Sequence, residues 1–387
     1  MSENLKHALE GNLESAHRPA KVAKTEEDLS DAEEEEEEEK QEAAIGVETM
    51  SQNPRIQRYL VAFEYIGTRF SGSQKQLNCR TVVGVLEDAF CKFIGQPVSI
   101  YCSSRTDAGV HALSNSCHVD IERISKRKPG EVLPPHEPAV VRRAVNHFLQ
   151  KSEGDIMVTD VRCVPSDFHA RYKAQDRTYY YRLLSGAEPL STFEKDRAWH
   201  VPEDLNLQAM QEACKVLVGR HDFSSFRAAG CQAKSPIRTL DELCVTEVLP
   251  SPYFPSIMER EQSHKVSNDH PLCHSKSDTD IHLNSNPSND AAPISHENLG
   301  FGKRKRHRCL VVTTRARSFL YHQVRLLVGV LKAVGTGNLS TSEVERILNA
   351  KTVTAASPMA PACGLYLGEV KYNLPNEEDI CNQQCSS

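Results

Sequence analysis

Apolar positions along the chain fall into short runs that switch between a period of two and a period near 3.6. Tyr59 to Tyr65 has the length and make-up of a strand. Thr81 to Ile94 places Val82, Val85, Leu86, Ala89 and Phe93 on one helical face and is stopped by Gly95 and Pro97. Val98 to Cys102 and Ser116 to Ile121 are apolar, β-branched runs that predict two strands, so the polar stretch SSRTDAGVHAL at 103–113 is predicted to be the loop between them. A helix is predicted over Ala139 to Leu149, strands over Ile156 to Val164 and Arg177 to Leu184, and a helix over Leu207 to Val218. Later in the chain the pattern predicts a strand at Cys309 to Ala316, a helix from Leu320, a short helix near Ser342 to Leu348 and a strand at Leu365 to Tyr372. Mixed strands with helices in two β-α-β-like halves point to the α+β class.

Two stretches lack any period. Residues 1 to about 54 are polar, with an unbroken acidic run from Glu33 to Glu39, and read as a disordered acidic tail. Roughly Ser251 to Arg306 is rich in Ser, Asn, Asp, Pro and His and reads as a disordered insertion in a folded domain; its His264, His270, Cys273, His274 and His282 have the irregular spacing of low complexity, so no metal site is assigned to them. The basic run from Lys303 to Arg308 closes that insertion and suits either a nuclear-import or RNA-contacting patch or a solvated loop. The folded chain then divides into an N-terminal half, 55–170, carrying the 103–113 loop, a C-terminal half, 171–375, and a flexible tail, 376–387.

Charge sharpens this division. Residues 1–50 hold 5 Lys and Arg against 16 Asp and Glu, whereas the remainder holds 41 against 36, so a chain of net charge −6 has a mildly basic body that suits a phosphate-bearing partner. The 13 cysteines include no CxxC pair and read as reduced thiols. No apolar run has the length of a membrane helix, and the N-terminal residues carry neither a signal-peptide core nor a transit-peptide composition, which predicts a cytoplasmic or nuclear protein without membrane contact.

Several stretches interleave cations with aromatic rings: FHARYKAQDRTYYYR at 168–182, HDFSSFRAAGCQAKSPIR at 221–238 and RARSFLYHQVR at 315–325. Guanidinium groups hold phosphates and rings stack on exposed bases, so these stretches suit an RNA surface. On the helix from Leu320, apolar residues gather on one face while His322, Arg325 and Lys332 gather on the other, where they suit solvent or an anionic groove. A carboxylate facing RNA is unfavourable unless a cation holds it; Arg105, two residues from Asp107, is the nearest in sequence, and a carboxylate so held has the makings of a nucleophile. The bland alternative is an aspartate that shapes a turn before Gly109. No P-loop, dinucleotide fingerprint, HExxH or GxSxG stretch is present.

The ordered set of motifs resembles the TruA-type tRNA pseudouridine synthases: RTDAGVH at 105–111, DFHAR at 167–171, R-x-Y-x-Y at 177–181, DFSSFRAAGCQAKSPIR at 222–238, FLYHQVRLLVG at 319–329 and GLYL at 364–367. The resemblance implies the pseudouridine-synthase fold, with two halves sharing a mixed, largely antiparallel sheet and a central RNA-binding cleft. It implies isomerisation of uridine to pseudouridine in tRNA, with uridines 38 to 40 of the anticodon stem-loop as the family's target. Asp107 would be the nucleophile, attacking either ribose C1′ or base C6, with Arg105 pairing with it. Tyr179 would stack on the flipped uracil and assist proton transfer at C5, while Arg325 would support Asp107 or a phosphate. Arg171, Arg227 and His111 would bind substrate. No cofactor or metal is implied; the partners are tRNA and a second copy of the chain. An RNA-binding or tRNA-folding protein with lost catalysis is the alternative. Bacterial members carry Gly where Ser104 stands, and their Y-D-G and G-W-Q elements read here as Tyr65-Ile66-Gly67 and Gly72-Ser73-Gln74.

Overall fold

The computed structural model describes residues 55–248 and 307–374, apart from positions 129, 153 and 357. The expected acidic tail, insertion and C-terminal tail, with His264, His270, Cys273, His274 and His282, lie outside the described residues. Within them, ten strands form one sheet: β1 (Ile56–Tyr65), β2 (Ile100–Cys102), β3 (His111–Glu122), β4 (Ile156–Val164), β5 (Ala174–Ser185), β6 (Trp199–Val201), β7 (Gly219–Asp222), β8 (Ile237–Val248), β9 (Arg308–Ala316) and β10 (Leu365–Tyr372). Five α-helices accompany them: α1 (Val82–Ile94), α2 (Pro138–Ser152), α3 (Leu207–Leu217), α4 (Gln323–Gly335) and α5 (Thr341–Ala350).

Strand order is β4-β1-β3-β10-β5-β9-β8-β7, with β2 beside β3 and β6 beside β5. Every pairing is antiparallel except β3 with β10 and β5 with β6. Strands β1 to β4 form one end of this sheet and β5 to β10 the other, and the two groups meet where β10 lies parallel to β3. That join consists of the pairs Tyr366 with His111 and Leu367 with Ala112. This is the mixed, largely antiparallel α+β sheet anticipated from the sequence.

Alternation along the strands explains the layering. Tyr59, Val61, Phe63 and Tyr65 of β1, Tyr179, Tyr181 and Leu183 of β5, and Leu365 and Leu367 of β10 share one apolar core with the buried faces of all five helices. On the opposite face, Leu60 and Val164 pack with Phe168 and Ala170 of the segment between β4 and β5. Local chemistry sets the helix starts: Thr81 accepts from Gly84 N, Asn206 from Ala209 N, and Ser340 forms a capping box with Glu343. No helix among the described residues is long and apolar enough to cross a membrane.

The structure departs from the sequence reading in four strands. β8 was not anticipated because a bulge between Leu240 and Glu242 breaks its alternation. β6 and β7 are too short to show a period. β3 begins at His111, five residues earlier than its apolar run, because its polar residues His111, Asn115, Ser116 and His118 are all buried.

Candidate active site

The loop between β2 and β3 is built from buried polar groups. Thr106 turns inward: its hydroxyl lies 2.7 Å from that of Tyr65, its N–H donates to Ser73 Oγ at 2.8 Å, and its carbonyl accepts from Ser73 N at 3.0 Å. Asn115, fully buried, accepts from Ser103 Oγ at 3.1 Å and donates to Ser104 O at 3.3 Å. Arg177 adds a clamp from β5, donating to Ser103 O at 3.2 Å, Ser104 Oγ at 3.3 Å, Arg171 O at 3.0 Å and Arg317 O. The loop then turns, with Val110 N donating to Asp107 O at 3.2 Å and Gly109 at φ +80°, a conformation glycine adopts without strain. Behind the turn Gly67 passes so close that a Cβ there would lie 1.9 Å from Val110 O.

This turn presents Asp107 to the N-terminus of α4. Its Oδ2 lies 3.1 Å from His322 Nε2 and 3.4 Å from Arg325 Nη1, and its side chain remains 31% exposed. His322, at the helix N-cap, has φ +60° and stacks on the Tyr321 ring at 3.8 Å. Arg325 is fixed by donating from Nε to Ala360 O at 2.8 Å, while Ala360 N donates back to Arg325 O at 3.1 Å. The carboxylate thus faces a guanidinium and the positive end of a helix. Burial and the neighbouring Arg325 push the His322 imidazole below its usual range against the pull of Asp107, so near neutral pH a neutral ring donates its Nε2–H to the carboxylate.

Tyr179 stands on β5 beside this group, 9% exposed, with its ring edge-to-face with Phe319 at 5.2 Å. Burial pushes its hydroxyl up to about 12, with Asp107 adding to the rise and Arg177 opposing it, so the phenol keeps its proton. The expected Asp107, Tyr179 and Arg325 are therefore brought together from three distant parts of the chain.

Arg105 is not part of that group. It is exposed and has no ion pair among the described residues, which corrects the expected Arg105 to Asp107 pair. The inward turn of Thr106 separates their directions: Asp107 points to α4 and Arg105 to solvent. Arg227 is partly exposed, and the adjoining Ala228 N donates to Tyr321 O at 3.0 Å, which ties that segment to the His322 turn. Arg171 is exposed near Tyr172. His111 was expected at the substrate, but is 2% exposed, accepts from Gly67 N at 3.1 Å through Nδ1 and faces Asp196 O at 3.0 Å through Nε2. With both nitrogens engaged, and burial lowering its proton affinity, it is a neutral wall residue that holds the turn from below.

Sequence reasoning missed His322 and Arg177 as parts of the site. The signal for His322 was present, three residues before Arg325 on one helical face, but read equally as a solvated face. Among the described residues no group of three or more His, Cys, Asp or Glu stands ready to hold a metal ion.

A held, partly exposed carboxylate beside a buried phenol, on a chain whose body after residue 50 is mildly basic, suits nucleophilic chemistry on a polyanion. The family model described as tRNA pseudouridine synthase matches residues 61–173 and 213–373. The chain belongs to the tRNA pseudouridine synthase family. It is 36% identical over 317 residues to a protein of Rhodospirillum centenum named tRNA pseudouridine synthase A, covering 82% of this chain and 100% of that one. Proteins of the same name from Paramagnetospirillum magneticum and Xanthobacter autotrophicus are each 36% identical, over 82% and 81% of this chain and 95% and 99% of theirs. The enzyme is accordingly a pseudouridine synthase, an isomerase whose family acts on uridine in tRNA, and both matched stretches contribute to the site: the first supplies Asp107, the second Arg325 and His322.

Proposed function

We propose that Asp107 is the nucleophile of this synthase and that its target uridine lies in the anticodon stem-loop of tRNA. The observation carrying the first part is the Asp107 carboxylate itself: partly open to solvent yet held by N–H donors from His322 and Arg325. In the net reaction the N1–C1′ bond breaks, a C1′–C5 bond forms, N1 gains a proton and C5 loses one. Atoms and electrons balance without a redox partner or group donor. Asp107 adds to ribose C1′ or base C6, holds the fragment while the base reorients, and is released as the new bond closes. The uridine must leave its stack, which costs a few kcal/mol. The Tyr179 phenol, protonated at neutral pH, supplies a ring and a hydroxyl at the base edge for the proton movements.

Arg105, exposed on the same loop, is assigned to the RNA backbone, as is the partly exposed Arg227. Bacterial relatives of the same name and the ordered motifs support the tRNA target; the anticodon position rests on the family resemblance. A homodimer and a cytoplasmic or nuclear location belong to the same proposal, testable by light scattering and by imaging of the tagged full chain.

Pseudouridine mapping by carbodiimide adduct and primer extension on unmodified tRNA transcripts tests the assignment. Wild-type protein should give new stops in the anticodon stem-loop, and Asp107→Asn should give none while keeping its fold and tRNA affinity. Stops elsewhere would move the target, and turnover by Asp107→Asn would remove the nucleophile.

A further inference from the structure

A second group of rings lies on the other face of the sheet. Tyr101 of β2 is 47% exposed and stacks on His118 of β3 at 5.1 Å with 13° between planes. His169 stands edge-on to His118 at 4.6 Å and tilts against Tyr101 at 6.3 Å. Tyr172 follows His169 at 4.3 Å, and the Arg171 guanidinium lies 5.8 Å from the Tyr172 ring centre. No residue of the five helices belongs to the small cluster on this face, which includes Leu60, opposite His118 in the register.

The packing shows what the array can take. His118 is 2% exposed, and its Nδ1 accepts from Ala170 N at 3.2 Å, which fixes the ring. It backs one face of Tyr101, leaving the other for a flat partner. Burial and the nearby Arg58 keep both imidazoles neutral, with His118 near about 3 and His169 near about 4, so the ladder behaves as π surface rather than as a cation pair. The charge sits at its end: Arg171 is exposed and makes no ion pair among the described residues, whereas Lys173 pairs with Asp167 at 3.7 Å and Arg58 with Asp120 at 2.7 Å. A partly exposed ring at one end of a ladder that leads to a cation at the other is an arrangement that suits one unpaired base and its phosphate.

The array is also mechanically joined to the catalytic loop. Tyr101 is two residues before Ser103, and the Nη2 group of Arg177 donates to both Arg171 O at 3.0 Å and Ser103 O at 3.2 Å. A load on either backbone is carried through one guanidinium.

We propose that Tyr101, with His169, Tyr172 and Arg171, forms a second RNA site that stacks one unpaired nucleobase of the substrate outside the Asp107 pocket. The inference rests on the tRNA reading, and the experiment separates the two. Steady-state turnover of a full tRNA transcript is measured with wild type, Tyr101→Leu, Tyr101→Phe and Tyr172→Leu, all checked for an unchanged melt. Tyr101→Leu should lower kcat/KM about tenfold, carried by KM, and Tyr172→Leu less. Tyr101→Phe should restore the loss, because the ring and not the hydroxyl does the binding. Transcripts carrying 5-bromouridine at unpaired positions should photocrosslink to a wild-type peptide containing Tyr101, and the crosslink should vanish in Tyr101→Leu. An active wild type that gives no such crosslink, with KM unchanged in Tyr101→Leu, would overturn the site and mark the rings as packing or as a protein-docking face. An inactive wild type would instead overturn the tRNA reading.

Discussion

Replacing Gly67 by alanine puts the link between backbone packing and catalysis to a direct test. The glycine lies in a short turn after β1 and its φ is outside the left-handed region, so alanine adds no backbone strain; the effect is one of contact alone. The new methyl would lie 1.9 Å from Val110 O and 2.5 Å from Val110 C, both main-chain atoms that no rotamer change can move aside. Reaching the 3.4 Å of ordinary contact needs a shift of about 1.5 Å between the two segments. Val110 closes the turn onto Asp107 O, and His111, the next residue, is tied to Gly67 N, so this displacement falls on the turn that aims the carboxylate. Overpacking of this kind costs roughly 1–3 kcal/mol, which a domain of ordinary stability survives. A nucleophile displaced by about 1 Å loses on the order of 100-fold in rate. Gly67→Ala should therefore stay folded with a lowered melting temperature and bind tRNA within a few-fold of wild type, yet form pseudouridine about 100-fold more slowly under single-turnover conditions. Single-turnover quench measurements beside a thermal melt decide it. A variant with wild-type rate and melt would show that the Gly67 contact does not hold Asp107.

Other outcomes follow from the same geometry. Arg325→Leu removes the guanidinium held between Ala360 O and Asp107 and should reduce single-turnover rate at least about 100-fold with the melt little lower, whereas a rate within threefold of wild type would detach Arg325 from the carboxylate. Arg177→Met strands four acceptors, three of them backbone carbonyls, and should cost on the order of 3 kcal/mol in urea unfolding; a change below about 1 kcal/mol would refute the clamp. His118 is held at about 3 by burial, below the ordinary imidazole value of 6.5, so between those values the unfolded chain binds a proton that the native state refuses, and stability falls as pH drops through that window. At pH 5 this amounts to about 2 kcal/mol. His118→Asn, which keeps an acceptor for Ala170 N, should make the loss of stability between pH 7 and pH 5 shallower by about that amount in paired urea titrations, and parallel pH profiles would contradict it.

The extent to which this site was legible in the sequence follows from where its contacts come from. The 103–113 loop could be placed because apolar runs flank it, and β4 and β10 have the ends their periodicity predicts. Local spacing failed for Arg105. Two residues from Asp107, it offered the nearest cation, but Thr106 is drawn into the Tyr65 and Ser73 hydroxyls and the two side chains part. The actual partners come from far along the chain, Arg325 from 218 residues away, a distance at which no local pattern carries information. His322 was visible only as one member of a polar helical stripe, and the structure buries most of that helix, turning the stripe into the wall of a site. β8 escaped because a bulge shifts its inward positions from Leu240 to Leu243 and Val245.

The two-pair join between β3 and β10 has a consequence for how the enzyme is made. The strand that completes the sheet is the last described along the chain, and it fills the slot between β3 and β5, strands encoded far earlier. On the ribosome, Asp107 emerges well before His322, Arg325 and β10 exist, so an incomplete nascent chain carries the Asp107 carboxylate without the groups that hold it. Until β10 arrives, facing edges of β3 and β5 remain open to pairing with other chains. Translation that stalls ahead of Leu365 would thus yield a sticky, inactive sheet with its β10 slot unfilled, and activity would switch on only when the closing strand docks.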